Sequence, residues 1–163
     1  MTFHLPIDHV VVLTNDLDNA GTAFENVGFH VTPIAKHSAA MGTANRCVML
    51  NDTYIEILAI IEKTEANANW RKLLENGSGL RGIALRSKDV EADVRAYNDK
   101  DIETEAIRHF SRQTETGGLR FSISRFKDSV TPAYQCLLCQ HHTPELLWTS
   151  DVIEHPNGAQ RLI

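Results

Sequence analysis

The sequence predicts an α+β fold built from two βαβββ modules that face each other across a cleft of curved mixed sheets. Two observations carry this expectation. A strand, a helix and three further strands can be traced in the first half of the chain, and the same order restarts near residue 80. Short segments also recur at set offsets. Asp16-Leu17 matches Asp89-Val90 after 73 residues, and Tyr54-Ile55-Glu56-Ile57-Leu58 matches Thr143-Pro144-Glu145-Leu146-Leu147 after 89. A supersecondary unit that repeats buries its apolar face against its own copy. The difference between the offsets calls for longer loops in the second half, near 111–118 and 127–133.

The elements follow in order. Ile7 to Leu13 is β-branched and bounded by Pro6 and Asn15, so it reads as a buried strand. Asn15 or Asp16 can cap the helix that follows, because either side chain accepts from the free first-turn amides. Leu17, Ala20, Phe24 and Val27 recur at helical spacing, and Gly28 suits the left-handed position after the helix. Phe29–Ile34, Arg46–Leu50 and Tyr54–Ile60 supply three strands. Residues 64–76, with Trp70, Leu73 and Leu74 as the packing side, form a bridging helix. In the second half Leu80–Arg86 is a strand, and Ser87 caps a helix carrying Val90, Val94 and Tyr97. Ile102–Ile107, Leu119–Phe126 and Gln135–Trp148 complete the set. The expected organisation is a single domain over 1–163: module one at about 5–62, the bridge at about 64–76, module two at about 79–149 and a tail at 150–163.

Composition narrows the function classes. A chain of 163 residues with net charge −5 and pI near 5.9 lacks the basic face that nucleic acid or an anionic membrane selects. No apolar run approaches the ~20 residues that cross a bilayer. The opening Met1-Thr2-Phe3-His4-Leu5-Pro6 has no basic segment followed by an apolar one, so no signal peptide is expected. Three cysteines, an odd number, fit a reducing cytoplasm. Cys136-x-x-Cys139 has no second cysteine pair, and in a strand the two face opposite sides, so a zinc or redox motif is not expected.

Ile7-Asp8-His9-Val10-Val11, Gly42-Thr43-Ala44-Asn45-Arg46, Tyr54-Ile55-Glu56-Ile57-Leu58, Cys139-Gln140-His141-His142-Thr143-Pro144-Glu145-Leu146-Leu147-Trp148 and His155-Pro156-Asn157-Gly158-Ala159 together resemble motifs of the glyoxalase-like branch of the vicinal oxygen chelate superfamily. The resemblance covers nearly the whole chain. It implies paired βαβββ modules around a cleft that usually holds one divalent metal. Members include lyases, isomerases, extradiol dioxygenases, antibiotic-modifying enzymes and metal-free drug-binding proteins, so fold alone does not fix function.

The resemblance also implies metal ligands on the first and fourth strands of each module. Carried over, these are His9, Glu56 and Glu145, with Gly82 at the third position, the counterpart of His9, where glycine offers no donor. One imidazole and two carboxylates are a reasonable set for Zn, Ni, Mn, Co or Fe. The residues carry alternative readings. A lone histidine in an apolar strand is usually a hydrogen-bonded core residue, and Glu56 could instead pair with Arg46. Yet Glu56 between Ile55 and Ile57 is too buried in pattern for a solvent-facing carboxylate, and burying one unpaired is costly. Strand alternation puts His141 on the face of Glu145, within reach of a substrate, and His142 on the other. Arg46 and Arg125 can bind an anionic group through their planar forks. His155-Pro156-Asn157-Gly158 reads as a turn, and the resemblance implies that the tail folds back, with His155 near the cleft or at a subunit contact.

The expected function is a metal-dependent lyase or isomerase acting on a small oxygenated molecule, with Glu56 or Glu145 as the base and Arg46, Arg125 and His141 binding substrate. The alternative is a metal-free small-molecule binding or resistance protein, which Gly82 favours. The expected partner is a small molecule, without nucleic acid or membrane, and the edge strands permit a homodimer.

Overall fold

The structure is a computed structural model that describes residues 4–114 and 117–162. Eight strands form one mixed, curled sheet in the order β2-β3-β4-β1-β5-β8-β7-β6. The first half supplies β1 (Ile7–Thr14), helix α1 (Leu17–Asn26), β2 (Ala35–Lys36), β3 (Thr43–Met49) and β4 (Tyr54–Ile60). Helix α2 (Ala68–Leu74) bridges to β5 (Gly79–Arg86), α3 (Val90–Asn98), β6 (Arg108–Thr114), β7 (Gly117–Arg125) and β8 (Gln135–His141). Each half is therefore a βαβββ unit. Its first strand runs parallel to its last, and the halves join where β1 meets β5 antiparallel.

The first helix starts with one of the two expected caps, Asp16, whereas the second is capped by Asp89 and not by Ser87, whose hydroxyl accepts from Asp89 N at 3.1 Å. Asp16 accepts from Asn19 N at 2.9 Å, and Asp89 accepts from Ala92 N at 3.0 Å. Each carboxylate satisfies a first-turn amide that the helix leaves free. Gly28 follows α1 with φ +87°, the left-handed conformation that glycine adopts without steric cost.

Alternation along the strands separates two faces. Ile57 with Val48 and Leu50 packs under Leu17, Ala20 and Phe24 of α1. Leu138 and Phe126 pack under Val90, Val94 and Tyr97 of α3. The opposite face of β4 presents Tyr54, Glu56 and Leu58 to the hollow of the sheet. Helix α2 lies on this inner face, with Trp70 and Leu73 against Val11, Leu13 and Leu58.

Three expected strands shift. Phe29–Ile34 carries no ladder; only Ala35–Lys36 pairs with β3. Pro33 lacks a ladder donor, and Thr32 instead contacts β3 through its own amide and hydroxyl, both bonded to Cys47. Over Ile102–Ile107 only a bridge between Thr104 and Phe126 forms, and the strand proper begins at Arg108. The strand expected to run to Trp148 ends at His141. Pro144, with no N–H to continue a ladder, opens a 3-10 turn over Pro144–Leu146. The segment 111–118, expected to be a long loop, falls largely within the β6–β7 hairpin.

Candidate functional site

A pocket occupies the inner face between the two halves of the sheet. Its polar wall comes from the first module: His9 on β1, His37 after β2, Asn45 on β3 and Glu56 on β4. Its opposite wall carries Arg108, Phe110 and Arg112 from β6 and Leu119, Phe121, Ile123 and Arg125 from β7.

The centre is built around a bulge. Between Ile7 and His9 the β1–β5 register slips by one residue, so Asp8 is inserted. In a regular strand Asp8 and His9 would face opposite sides. The bulge brings Asp8 Oδ1 to 2.7 Å from His9 Nδ1. An ionised carboxylate only accepts, so His9 Nδ1 carries the proton and Nε2 is turned toward the pocket. Tyr54 stacks on the imidazole at 4.3 Å between ring centroids and fixes its plane.

Asp8 is fully buried, a position too costly for an unpaired charge. Its Oδ1 also accepts from His141 Nε2 at 3.0 Å, and its Oδ2 from Arg86 Nε at 2.9 Å. Burial alone would raise its pKa. The hydrogen bonds from His141 and His9, with the charge of those rings, overcome burial and hold the carboxyl far below the usual range. Asp8 is thus a fixed anion behind His9.

Glu56 faces His9 from β4, with its Oε2 3.7 Å from His9 Nε2. Asn45 Nδ2 donates to its Oε1 at 2.7 Å, and His37 Nε2 lies 3.9 Å from the same oxygen. His37 is anchored through Nδ1 to the Thr43 hydroxyl at 2.7 Å. Burial depresses the His37 pKa; the Glu56 charge opposes the shift and Arg112 adds to it. The neutral ring is therefore favoured. One carboxylate lies between two imidazoles, each held from behind.

The expected residues divide. His9, Glu56 and His141 converge, with His141 serving the Asp8 network. Glu145 does not join them: it lies exposed on the 3-10 turn beyond the end of β8. Arg46 sits on the other face of the sheet, bonded to Thr32 O at 2.9 Å and paired with Glu25 under α1. Gly21 leaves the room that its guanidinium fills. Glu56 accordingly pairs with Asn45 and not Arg46. Arg125 lines the pocket, but its Nη2 and Nε sit 2.7 and 2.9 Å from Glu105 Oε2. His142 turns to the outer face and meets the Ser122 hydroxyl at 2.7 Å. His155 secures the tail to module one, with Nδ1 accepting from His30 N at 2.9 Å and Nε2 donating to Met49 O at 2.7 Å. Cys136 packs toward α3 while Cys139 faces the pocket, and all three cysteines are free.

Sequence reasoning missed Asp8, His37, Asn45, Tyr54 and Arg112. The Asp8-His9 doublet was a signal, but strand alternation argued against it and only the bulge reverses that.

The four strand positions implied for a metal do not fit a divalent ion. His9 pairs with Tyr54 across β1 and β4, and Glu56 lies two residues beyond. Gly82 pairs with Gln135 across β5 and β8, so the counterpart of Glu56 is Leu137, not Glu145. Gly82 and Leu137 supply no donor. One other group among the described residues could hold a metal ion: Asp8, His9, Cys139 and His141 each bring one ligand atom, all within 4.8 Å of one another.

Residues 7–163 match the glyoxalase-like domain family. The chain belongs to this family. Among solved structures, it superposes on a methylmalonyl-CoA epimerase variant from Streptomyces coelicolor in complex with 2-nitronate-propionyl-CoA. The TM-score is 0.67 at 22% identity, over 85% of this chain and 99% of that one. Methylmalonyl-CoA epimerase from Mycobacterium tuberculosis gives 0.67 at 17% identity, over 91% and 97%. A hypothetical protein from Staphylococcus aureus gives 0.67 at 17%, over 85% of this chain and 60% of that one. These likenesses establish the vicinal oxygen chelate fold. A curated relative, an uncharacterised protein of Methanocaldococcus jannaschii, is 26% identical over 109 residues, and the match spans 28% of its length. No helix among the described residues of this glyoxalase-like protein is long and apolar enough to cross a membrane.

Proposed function

We propose that this protein is a proton-transfer enzyme of isomerase or lyase type acting on a small oxygenated molecule. The observation that carries the reading is the line Asp8–His9–Glu56: 2.7 Å from Asp8 Oδ1 to His9 Nδ1, then 3.7 Å from His9 Nε2 to Glu56 Oε2. Glu56 is the base. It takes a proton from a carbon next to a carbonyl group, and Asn45 fixes the oxygen that is not used. His9 Nε2 can receive that proton from Glu56, because Asp8 stabilises the resulting imidazolium. The proton then returns to a different carbon or face, or to a leaving group. His37, neutral and aimed at the same carboxylate, is the donor within reach of a developing oxyanion. Fold neighbours that are epimerases by name support an isomerase reading.

A second reading rests on one observation, the convergence of Asp8, His9, Cys139 and His141. These are donors for an ion of the Zn, Ni, Mn, Co or Fe group. Here hydrogen bonds to Asp8 Oδ1 already engage one ring nitrogen of His9 and one of His141, and Arg86 holds a fixed positive charge at Oδ2. Both observations favour metal-free proton transfer.

The test is deuterium wash-in from D2O, followed by proton NMR, over a panel of 2-oxo carboxylates, 2-oxoaldehydes and thioesters. Exchange by protein treated with EDTA, lost by a factor of about 100 or more in Glu56→Gln, supports the reading. Exchange that appears only on adding one of the five metals supports the second reading. No exchange on any member of the panel, with or without metal, argues for a binding protein.

A further inference from the structure

Three arginines line the β6–β7 wall of the pocket, and they are not equivalent. Arg125 is neutralised by Glu105, and Arg108 Nη2 reaches the same carboxylate at 3.4 Å. Arg112 has no ion pair among the described residues, and its Nη1 is buried with no hydrogen-bond partner. A buried donor left unmade is costly, and a guanidinium carries a charge as well. A fold keeps such a group where an acceptor arrives from outside.

The surroundings specify that acceptor. Arg112 pairs across the hairpin with Leu119, and Phe110 with Phe121, all on the pocket face. The two phenylalanine rings stack at 5.3 Å between centroids. On the opposite wall stands Glu56. Among the described residues the free charges of the pocket are thus one guanidinium and one carboxylate, with apolar surface beside the guanidinium. A dianionic phosphate would meet Glu56 with excess negative charge. A planar monoanion matches the fork of Arg112 and leaves Glu56 able to act as base.

We propose that Arg112 is the docking point for the carboxylate of a substrate whose short apolar body lies against Phe110, Phe121 and Leu119. The anion site stands on its own geometry. Placing the reacting carbon between Arg112 and Glu56 rests on the proton-transfer reading above.

The experiment is calorimetric titration of the full chain with hexanoate, hexan-1-ol, hexylamine and inorganic phosphate. Hexanoate should bind more tightly than the other three. R112Q should weaken hexanoate at least tenfold while hexan-1-ol is unchanged, and R112K should weaken it severalfold because the fork is lost. R120Q, on the outer face of β7, should bind as the wild type does. R112Q should melt at or above the wild-type temperature, since it removes a guanidinium donor that is buried without a partner. Should R112Q fail to fold, R112K carries the comparison. Equal hexanoate affinity in wild type and the Arg112 variants, hexan-1-ol or phosphate binding as tightly as hexanoate, or no hexanoate binding by the wild type would each overturn the proposal. Exchange and binding in the wild type separate the two claims: hexanoate bound with no deuterium exchange on any member of the panel would sink the catalytic reading and leave the anion site standing.

Discussion

Trp70 fills the space that a side chain at Gly82 would need: a Cβ placed there would lie 2.7 Å from Trp70 Cη2 and 3.1 Å from Val11 Cβ. The indole comes from α2, packs on Val11 and Leu13, and is 8% exposed. Glycine at this position is therefore more than a missing ligand. It is the condition for the bridging helix to close the inner face.

Gly82→Ala should cost about 1–3 kcal/mol through overpacking. Urea unfolding measures it. Combining it with Trp70→Leu should cost less than the sum of the single changes, because the clash is shared. Full additivity would show that the two residues are independent.

Asp8→Asn should destabilise by about 3 kcal/mol, because Arg86 and two histidines lose their common anion. The pH dependence follows from the depressed carboxyl. The unfolded chain takes up the proton near 3.8, and the native state resists it to much lower pH. The contribution of Asp8 is therefore present above pH 4 and lost progressively as pH falls further. The variant should have a flatter stability profile below pH 4 than the wild type, as read by urea midpoints from pH 2 to 7.

His37 works in the window above. Its native pKa lies below 6.5, so the unfolded chain binds a proton first as pH falls. Stability is fully present above pH 6.5 and declines below it. His37→Gln should remove that slope between pH 6.5 and 5, and an unchanged slope would contradict the assignment of a neutral, buried ring.

Much of this architecture was legible from residue order. The Asp16 cap, the alternation in Tyr54–Ile60 and the restart of the pattern after Gly79 each correspond to what forms, while the second cap falls on Asp89 and not Ser87, because Ser87 turns its hydroxyl to Asp89 N and Asp93. The site was half legible. His9 and Glu56 could be picked because polar residues in apolar strands need a reason. Glu145 was misplaced because its neighbours Leu146 and Leu147 imitate a strand, while Pro144 ends one. Asp8 was hidden because its direction depends on a bulge set by pairing with β5, 75 residues away in the Ile83–Leu85 stretch. Arg112 was hidden because nothing local says that its neighbours leave it unpaired.

Arg46→Gln should lower the melting temperature, since Arg46 ties Thr32 and Glu25 beneath α1. It should leave hexanoate affinity unchanged. Glu145→Gln should change neither stability nor binding beyond a few tenths of a kcal/mol, as expected of a surface site. A large loss of ligand affinity in either variant would return these residues to the pocket.

The measurement that bears most directly on the proton-transfer centre is the protonation pattern of His9, read by long-range proton–nitrogen correlation in protein labelled with nitrogen-15. Proton transfer through His9 requires a proton on Nδ1, toward Asp8, and an Nε2 resonance that moves in Glu56→Gln. A neutral ring protonated on Nε2, or an Nε2 resonance indifferent to Glu56, would contradict it.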